Sequence, residues 1–266
     1  MLGNVKSNYI LKVIFGRIKN KRKLNIIKRN KRISSKLGIK KEDFEIYITL
    51  KEFNEKYNTN IEDIDYKELN LSLKFLGNEG LKDLLKIEFK GLKELNLSLN
   101  SISDINILKE VDFKELKLLD LSENKISDIN ALEKIDFKGL YKLNLCKNDI
   151  SDINVLKKVN FKELKELHLN GNYISDINIL EKVDFKQLKE LNLSFNEISD
   201  INVLEKVNFK ELNKLNLNGN KISDIRILEK VNFKGLKELC LCLNGIKEDE
   251  NKSILTKLKS KINIII

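Results

Sequence analysis

The chain has 266 residues, no proline, no tryptophan, three cysteines and a formal charge of +10. That length allows one or two domains with substantial cores, and an odd cysteine count argues against a disulfide framework and for a reducing, cytoplasmic setting. No stretch approaches the ~20 apolar residues that span a bilayer; the early run "YILKVIF" is broken by Lys12 and precedes no small-residue cleavage site, so no signal peptide is expected.

The charge is uneven. Residues 1–60 hold 16 Lys and Arg against 5 Asp and Glu, which leaves 34 basic and 35 acidic residues for the rest of the chain. Lys, Asn and Ile dominate throughout, as AT-rich coding produces, so total charge alone assigns no partner. Within the basic segment, Ile10, Val13, Ile14 and Ile18 share one helical face, and Leu24, Ile27 and Ile33 mark a second helix. The plain expectation for residues 1–60 is a helical cap over the neighbouring domain. The stretch "YILKVIFGRIKNKRKLNIIKRNKR" also resembles an F-box, on the apolar positions Ile14, Phe15, Ile18 and Leu24, although the usual Leu-Pro opening is missing. That resemblance implies docking to an adaptor of ubiquitin ligases. Binding of an anionic membrane or a nucleic acid is the third expectation and the weakest, because no aromatics interleave the basic runs.

From residue 61 a repeat takes over. Phe89, Phe113, Phe137, Phe161, Phe185, Phe209 and Phe233 recur every 24 residues, and Asn100, Asn124, Asn148, Asn172, Asn196, Asn220 and Asn244 recur in step. Fixed self-similarity of this length marks a stacked-repeat architecture. The spacing Leu92-x-x-Leu95-x-Leu97-x-x-Asn100-x-Ile102 persists through all seven units. It resembles the leucine-rich repeat family over about two-thirds of the chain, which implies an α/β solenoid with parallel strands on a concave face and short helices on the convex one. The residues agree with that reading. Leu95 and Leu97 alternate toward one side of a strand, and seven strands ~4.8 Å apart make a strip roughly 30 Å long. The asparagine turns the chain out of the strand and, buried, bonds backbone groups that the turn leaves unpaired. Next, "ISDIN" places Ser or Asp to cap a short helix carrying Ile105, Leu108 and Val111. The "ISDI" string is similar to that of bacterial internalins and leucine-rich phosphatase-regulatory subunits; the likeness is to the motif, not to their partners.

The ends depart from the pattern, as capping units do. Tyr66, Leu69 and Leu71 precede Leu92, Leu95 and Leu97 by 26 residues, a degenerate first repeat over about 66–88 with Lys74 in the asparagine place. Regular repeats fill about 89–246. In the cap, 247–266, Ile254, Leu255 and Leu258 predict a helix, and Ile262, Ile264 and Ile266 a closing strand.

Candidate functional residues lie in columns flanking the core leucines. One column reads Asn96, Asp120, Asn144, His168, Asn192, Asn216, Cys240, and the next Ser98, Ser122, Cys146, Asn170, Ser194, Asn218, Cys242. His168 is the only histidine, with Cys146 about 8 Å away by strand spacing, but nothing supplies a pocket, an orienting group or an oxyanion hole. Cys240 and Cys242 share a face, yet His168 lies ~14 Å from them, so no metal or cofactor site is expected. The expected function is non-enzymatic binding of a partner protein on the concave face. Its contacts are Glu94, Asp120, Asn144, Glu166, His168, Tyr173, Glu190, Asn192 and Phe195, with the aromatic cluster as the hot spot.

Overall fold

In the computed structural model the described residues are 35 and 41–266, except 63, 88, 90, 112–113, 208–209 and 232–234. The two N-terminal helices expected around Ile10 and Leu24, and the F-box-like positions Ile14, Phe15, Ile18 and Leu24, lie outside them. The chain divides into two units, one of residues 1–66 and 83–90, the other of 67–82 and 91–266.

Helix α1 of the first unit, Lys41–Tyr57, was not among the sequence expectations. It buries Leu50 and Phe53 on one face, and Phe53 packs on the Tyr57 ring at 4.7 Å between centroids. Asp83 ties its C-terminal end, accepting from Lys56 Nζ at 2.7 Å and Tyr57 Oη at 2.9 Å.

The second unit carries nine parallel strands in strict sequence order. They are β1 Glu68–Asn70, β2 Glu94–Asn96, β3 Leu118–Asp120, β4 Lys142–Asn144, β5 Glu166–His168, β6 Glu190–Asn192, β7 Lys214–Asn216, β8 Glu238–Cys240 and β9 Asn263–Ile265. Each residue pairs with its counterpart in the next repeat, Leu119 with Leu143 and Leu143 with Leu167. This is a leucine-rich repeat solenoid. The pairing offset is 24 residues through the regular array, 26 between β1 and β2 and 25 between β8 and β9, so both irregular ends join the sheet in register.

The core is layered. In one repeat Leu116, Leu119, Leu121, Ile126, Ile129 and Leu132 are all buried. Phe137, Phe161 and Phe185 stack in file behind them, with centroids 5.9 and 6.0 Å apart. The asparagines form the expected ladder. Asn148 Oδ1 accepts the N–H of Ile126 in the preceding repeat at 3.0 Å. Its Nδ2 donates to the carbonyls of Leu121, Leu145 and Cys146 at 3.0, 3.1 and 3.2 Å. At the degenerate end Lys74 replaces the amide, and its own N–H still donates to Asn100 Oδ1 at 3.0 Å, as the Asn100 N–H does to Asn124 Oδ1 at 3.1 Å.

The helix opposite the strands is shorter than the spacing of Ile105, Leu108 and Val111 implied. Each 24-residue unit holds one 3-10 turn, Asn106–Glu110 in the first, and Val111 already sits in extended backbone. Of the two residues expected to cap this turn, Ser or Asp, it is the aspartate that does so. Asp104 Oδ1 accepts the Asn106 N–H at 2.8 Å, and Asp128, Asp152, Asp176, Asp200 and Asp224 do the same two residues on. A carboxylate reaches that N–H in an Asx turn, so the aspartate closes the entry in all six. Where the unit is longer an α-helix fits: α2, Gly77–Leu85, in the 26-residue repeat, and α3, Lys252–Lys259, before β9. An α-helix advances less per residue than a 3-10 turn and needs the extra length.

Candidate functional site

From β2 to β7 the residues flanking the central leucine are half-buried, because strands packed side by side crowd their outward side chains. The column Asn96, Asp120, Asn144, Asn192 and Asn216 is engaged with its own backbone. Each Oδ1 accepts the N–H two residues on, at 2.9 to 3.1 Å. These side chains brace the strand's exit before they can meet a partner.

The backbone beyond the strand explains the bracing. Leu73, Leu99, Glu123, Lys147, Gly171, Phe195, Gly219 and Leu243 all have positive φ, between 52° and 67°. Every repeat thus turns through the left-handed region, at a cost of roughly 1–2 kcal/mol for a residue with a Cβ. The glycines at 171 and 219 were the sequence signal for this turn. The turn row carries the apolar side chains that the strands do not. Leu73, Phe75, Tyr173, Phe195 and Leu243 are more than half exposed. The Phe195 ring leans over Gly219, where an added Cβ would lie 2.7 Å from its Cδ1. Glu123 and Lys147 in the same row are paired at 3.1 Å.

The structure brings together only part of the expected contact set. Glu166, His168 and Glu190 converge beside Lys142, whose Nζ is 2.7 Å from Glu166 Oε2. His168 Nε2 lies 3.9 Å from Glu166 and 3.7 Å from Glu190, and Asn144 Nδ2 donates to Asp120 Oδ2 at 3.1 Å. Glu94 stands apart in β2, and Tyr173 and Phe195 lie beyond the strand ends, along the turn row.

His168 interrupts the bracing column, and its Nε2 is buried with no hydrogen-bond partner among the described residues. Burial and then the Lys142 charge push its pKa down, partly offset by Glu190, Glu166 and Asp120. The folded protein therefore holds this proton less tightly than the unfolded chain, so stability is lost as pH falls through the ordinary histidine range. His168→Asn supplies the column's usual residue and removes the orphaned nitrogen. It is expected to stabilise the fold by about 1 kcal/mol and to flatten the loss of stability between about pH 7 and 5. Urea melts at those two pH values check both; a lower midpoint for the variant at pH 7 would contradict the account.

A nucleophilic role for Cys146 is opposed by its surroundings, since burial pushes the thiol pKa up where a reactive cysteine needs it lowered.

Residues 186–230 match the family of leucine-rich repeats in two copies. An internalin of Listeria monocytogenes is 29% identical with a TM-score of 0.55, over 70% of this chain and 50% of its own. A leucine-rich repeat protein of Leptospira interrogans is 27% identical with a TM-score of 0.56, over 70% and 45%. The chain thus spans about half the length of either. A second listerial internalin shares the fold at 23% identity and a TM-score of 0.57, over 80% of this chain and 88% of its own. No curated protein matches. Repeat, ladder, sheet and these likenesses define the class: the chain is a leucine-rich repeat protein.

Proposed function

We propose that the chain is a non-catalytic module that binds a partner protein across the concave face of its sheet and along the adjoining turn row. The observation that carries this reading is Tyr173 and Phe195, each 56% exposed, on turns that backbone bonds hold in place. Large aromatic side chains held rigidly lose little entropy on contact and supply most of a hot spot's energy. The half-buried charges of Lys142, Glu166 and Glu190, at the starts of the neighbouring strands, furnish polar contacts that set orientation. Replacing both aromatics, Tyr173→Ala with Phe195→Ala, should weaken partner capture about tenfold or more, with the folded baseline and cooperativity retained. Equal capture by the double variant would place the interface elsewhere.

Three unpaired cysteines, Cys146, Cys240 and Cys242, suit a reducing cytoplasm. Adaptor docking through Ile14, Phe15, Ile18 and Leu24 is a separable second reading, resting on the sequence resemblance. Deleting residues 1–40 would abolish recovery of a small adaptor while sparing capture through the repeats.

A further inference from the structure

We propose that the solenoid binds a second copy of this chain flank to flank, an aspartate row along the strand exits of one copy lying against a lysine row along the strand entries of the next. All nine strands run parallel in sequence order, so every exit opens on one edge of the sheet and every entry on the other. The exit edge carries one aspartate in each of six successive repeats, Asp104, Asp128, Asp152, Asp176, Asp200 and Asp224, all exposed. The entry edge carries Lys114, Lys138, Lys162, Lys186 and Lys210, exposed in their turn. Three residues further on, Lys117, Lys165 and Lys189 add a second exposed file. The two edges thus bear opposite charge with a single period, the ~4.8 Å between neighbouring strands.

Pairing within one copy leaves the middle of both rows open. On the exit edge Lys147 and Lys221 are bonded to Glu123 and Glu197 at 3.1 and 3.2 Å, and Arg226 takes Asp224 at 2.6 Å. Asp128, Asp152, Asp176 and Asp200 use Oδ1 on the N–H two residues on, at 2.8 Å in each. That bond fixes the carboxylates in file and keeps Oδ2 for a partner. On the entry edge Lys138 and Lys186 are paired with Asp136 and Asp184 at 2.9 and 3.1 Å. Glu115, Glu163 and Glu211 interrupt the row in alternate repeats. The eight lysines named still outnumber these five acids, and Lys117, Lys162, Lys165 and Lys189 stand in the stretch that faces the four central aspartates.

The shared period selects a second copy as the partner. Two copies laid side by side with their axes parallel meet repeat for repeat, because both rows come from the same 24-residue unit. Asp176 of one copy then falls beside Lys162 and Lys165 of the other, and each neighbouring repeat renews the contact. A single exposed ion pair contributes little. A file of them in register adds up, and its complementary potential steers the encounter. Such contact leaves the concave face free for its own partner. The surface offered differs from the surface accepted, so each copy keeps one unused flank and the assembly extends instead of closing as a dimer.

The test is sedimentation of the full chain in about 10 mM salt, where charges act over ~30 Å, and in about 1 M salt, where they act over ~3 Å. The wild-type chain should form dimers and longer species in the first and single chains in the second. One variant combines Asp128→Asn, Asp152→Asn, Asp176→Asn and Asp200→Asn, each keeping the oxygen that accepts the N–H two residues on. The other combines Lys117→Gln, Lys162→Gln, Lys165→Gln and Lys189→Gln, all at exposed positions. Each variant alone should self-associate at least tenfold more weakly. Mixed in equal amounts they should form dimers that grow no further, because each supplies the flank the other lacks. The proposal is overturned if the wild-type chain stays single at low salt, or if the mixture does. It is equally overturned if the aspartate variant associates as strongly as wild type, since the basic residues 1–60 are intact in it.

Discussion

Phe161→Ala should lower the stability of the array by about 3–5 kcal/mol, a larger loss than any other substitution named above. The ring is 2% exposed, too deep for solvent to fill the space it leaves. It stands between Phe137 and Phe185, both tilted against it at about 6 Å between centroids, so its removal strips two aromatic contacts as well as its own buried surface. Relaxation cannot absorb the cavity, because the strands on either side are locked in register to their neighbours. Each repeat contacts only the next, so a weak central unit also uncouples the halves. Urea unfolding should show a lower midpoint and a broadened transition. A midpoint within ~0.5 kcal/mol of wild type would show that the stacked rings are not what couples the repeats.

Asn148→Ala is expected to cost about 1–3 kcal/mol, and for a different reason. Little apolar surface is lost. Instead the buried N–H of Ile126 loses its acceptor, while the carbonyls of Leu121, Leu145 and Cys146 each lose one of two donors and keep Asn124 Nδ2, Asn172 Nδ2 and the Glu123 N–H. The Ile126 N–H lies in the core, and a buried donor without a partner is what folded proteins avoid. Asn244, in the last ladder position, makes the same kinds of bond but is only half-buried, so Asn244→Ala should be milder. Equal urea midpoints for Asn148→Ala and wild type would leave the ladder without an energetic role.

The architecture was legible because one spacing, Leu-x-x-Leu-x-Leu-x-x-Asn, states strand, turn and register together. Repeating it seven times removes the ambiguity a single short strand carries. The closing segment was equally readable: Leu255 and Leu258 are buried in α3, and Ile264 takes the Leu239 register in β9. Helix α1 was less legible: Ile46, Leu50, Phe53 and Tyr57 follow helical spacing, but a single helix without a repeat carries no second copy to mark its register.

The contact surface was only half legible. Alternation tells which side of the strand a residue faces, but not that Asn96 or Asn144 spends its oxygen on its own backbone. Nor does it tell that the residue after the second column is left-handed in every repeat. Gly171 and Gly219 hinted at that geometry, while Leu99, Glu123, Lys147 and Phe195 hid it, since side chains with a Cβ rarely adopt it. Recognising a shared backbone conformation would have moved Phe195 from the sheet face to the turn row.

The in-register pairing of near-identical units has a genetic corollary. Because every strand docks on its neighbour through the same bonds, a chain with one unit more or fewer closes on the same two caps. Unequal recombination between the repeats would therefore alter the array in whole strands, never in fractions. Such a step would shift Tyr173 and Phe195 nearer to or farther from either end while leaving each residue's own surroundings as they were.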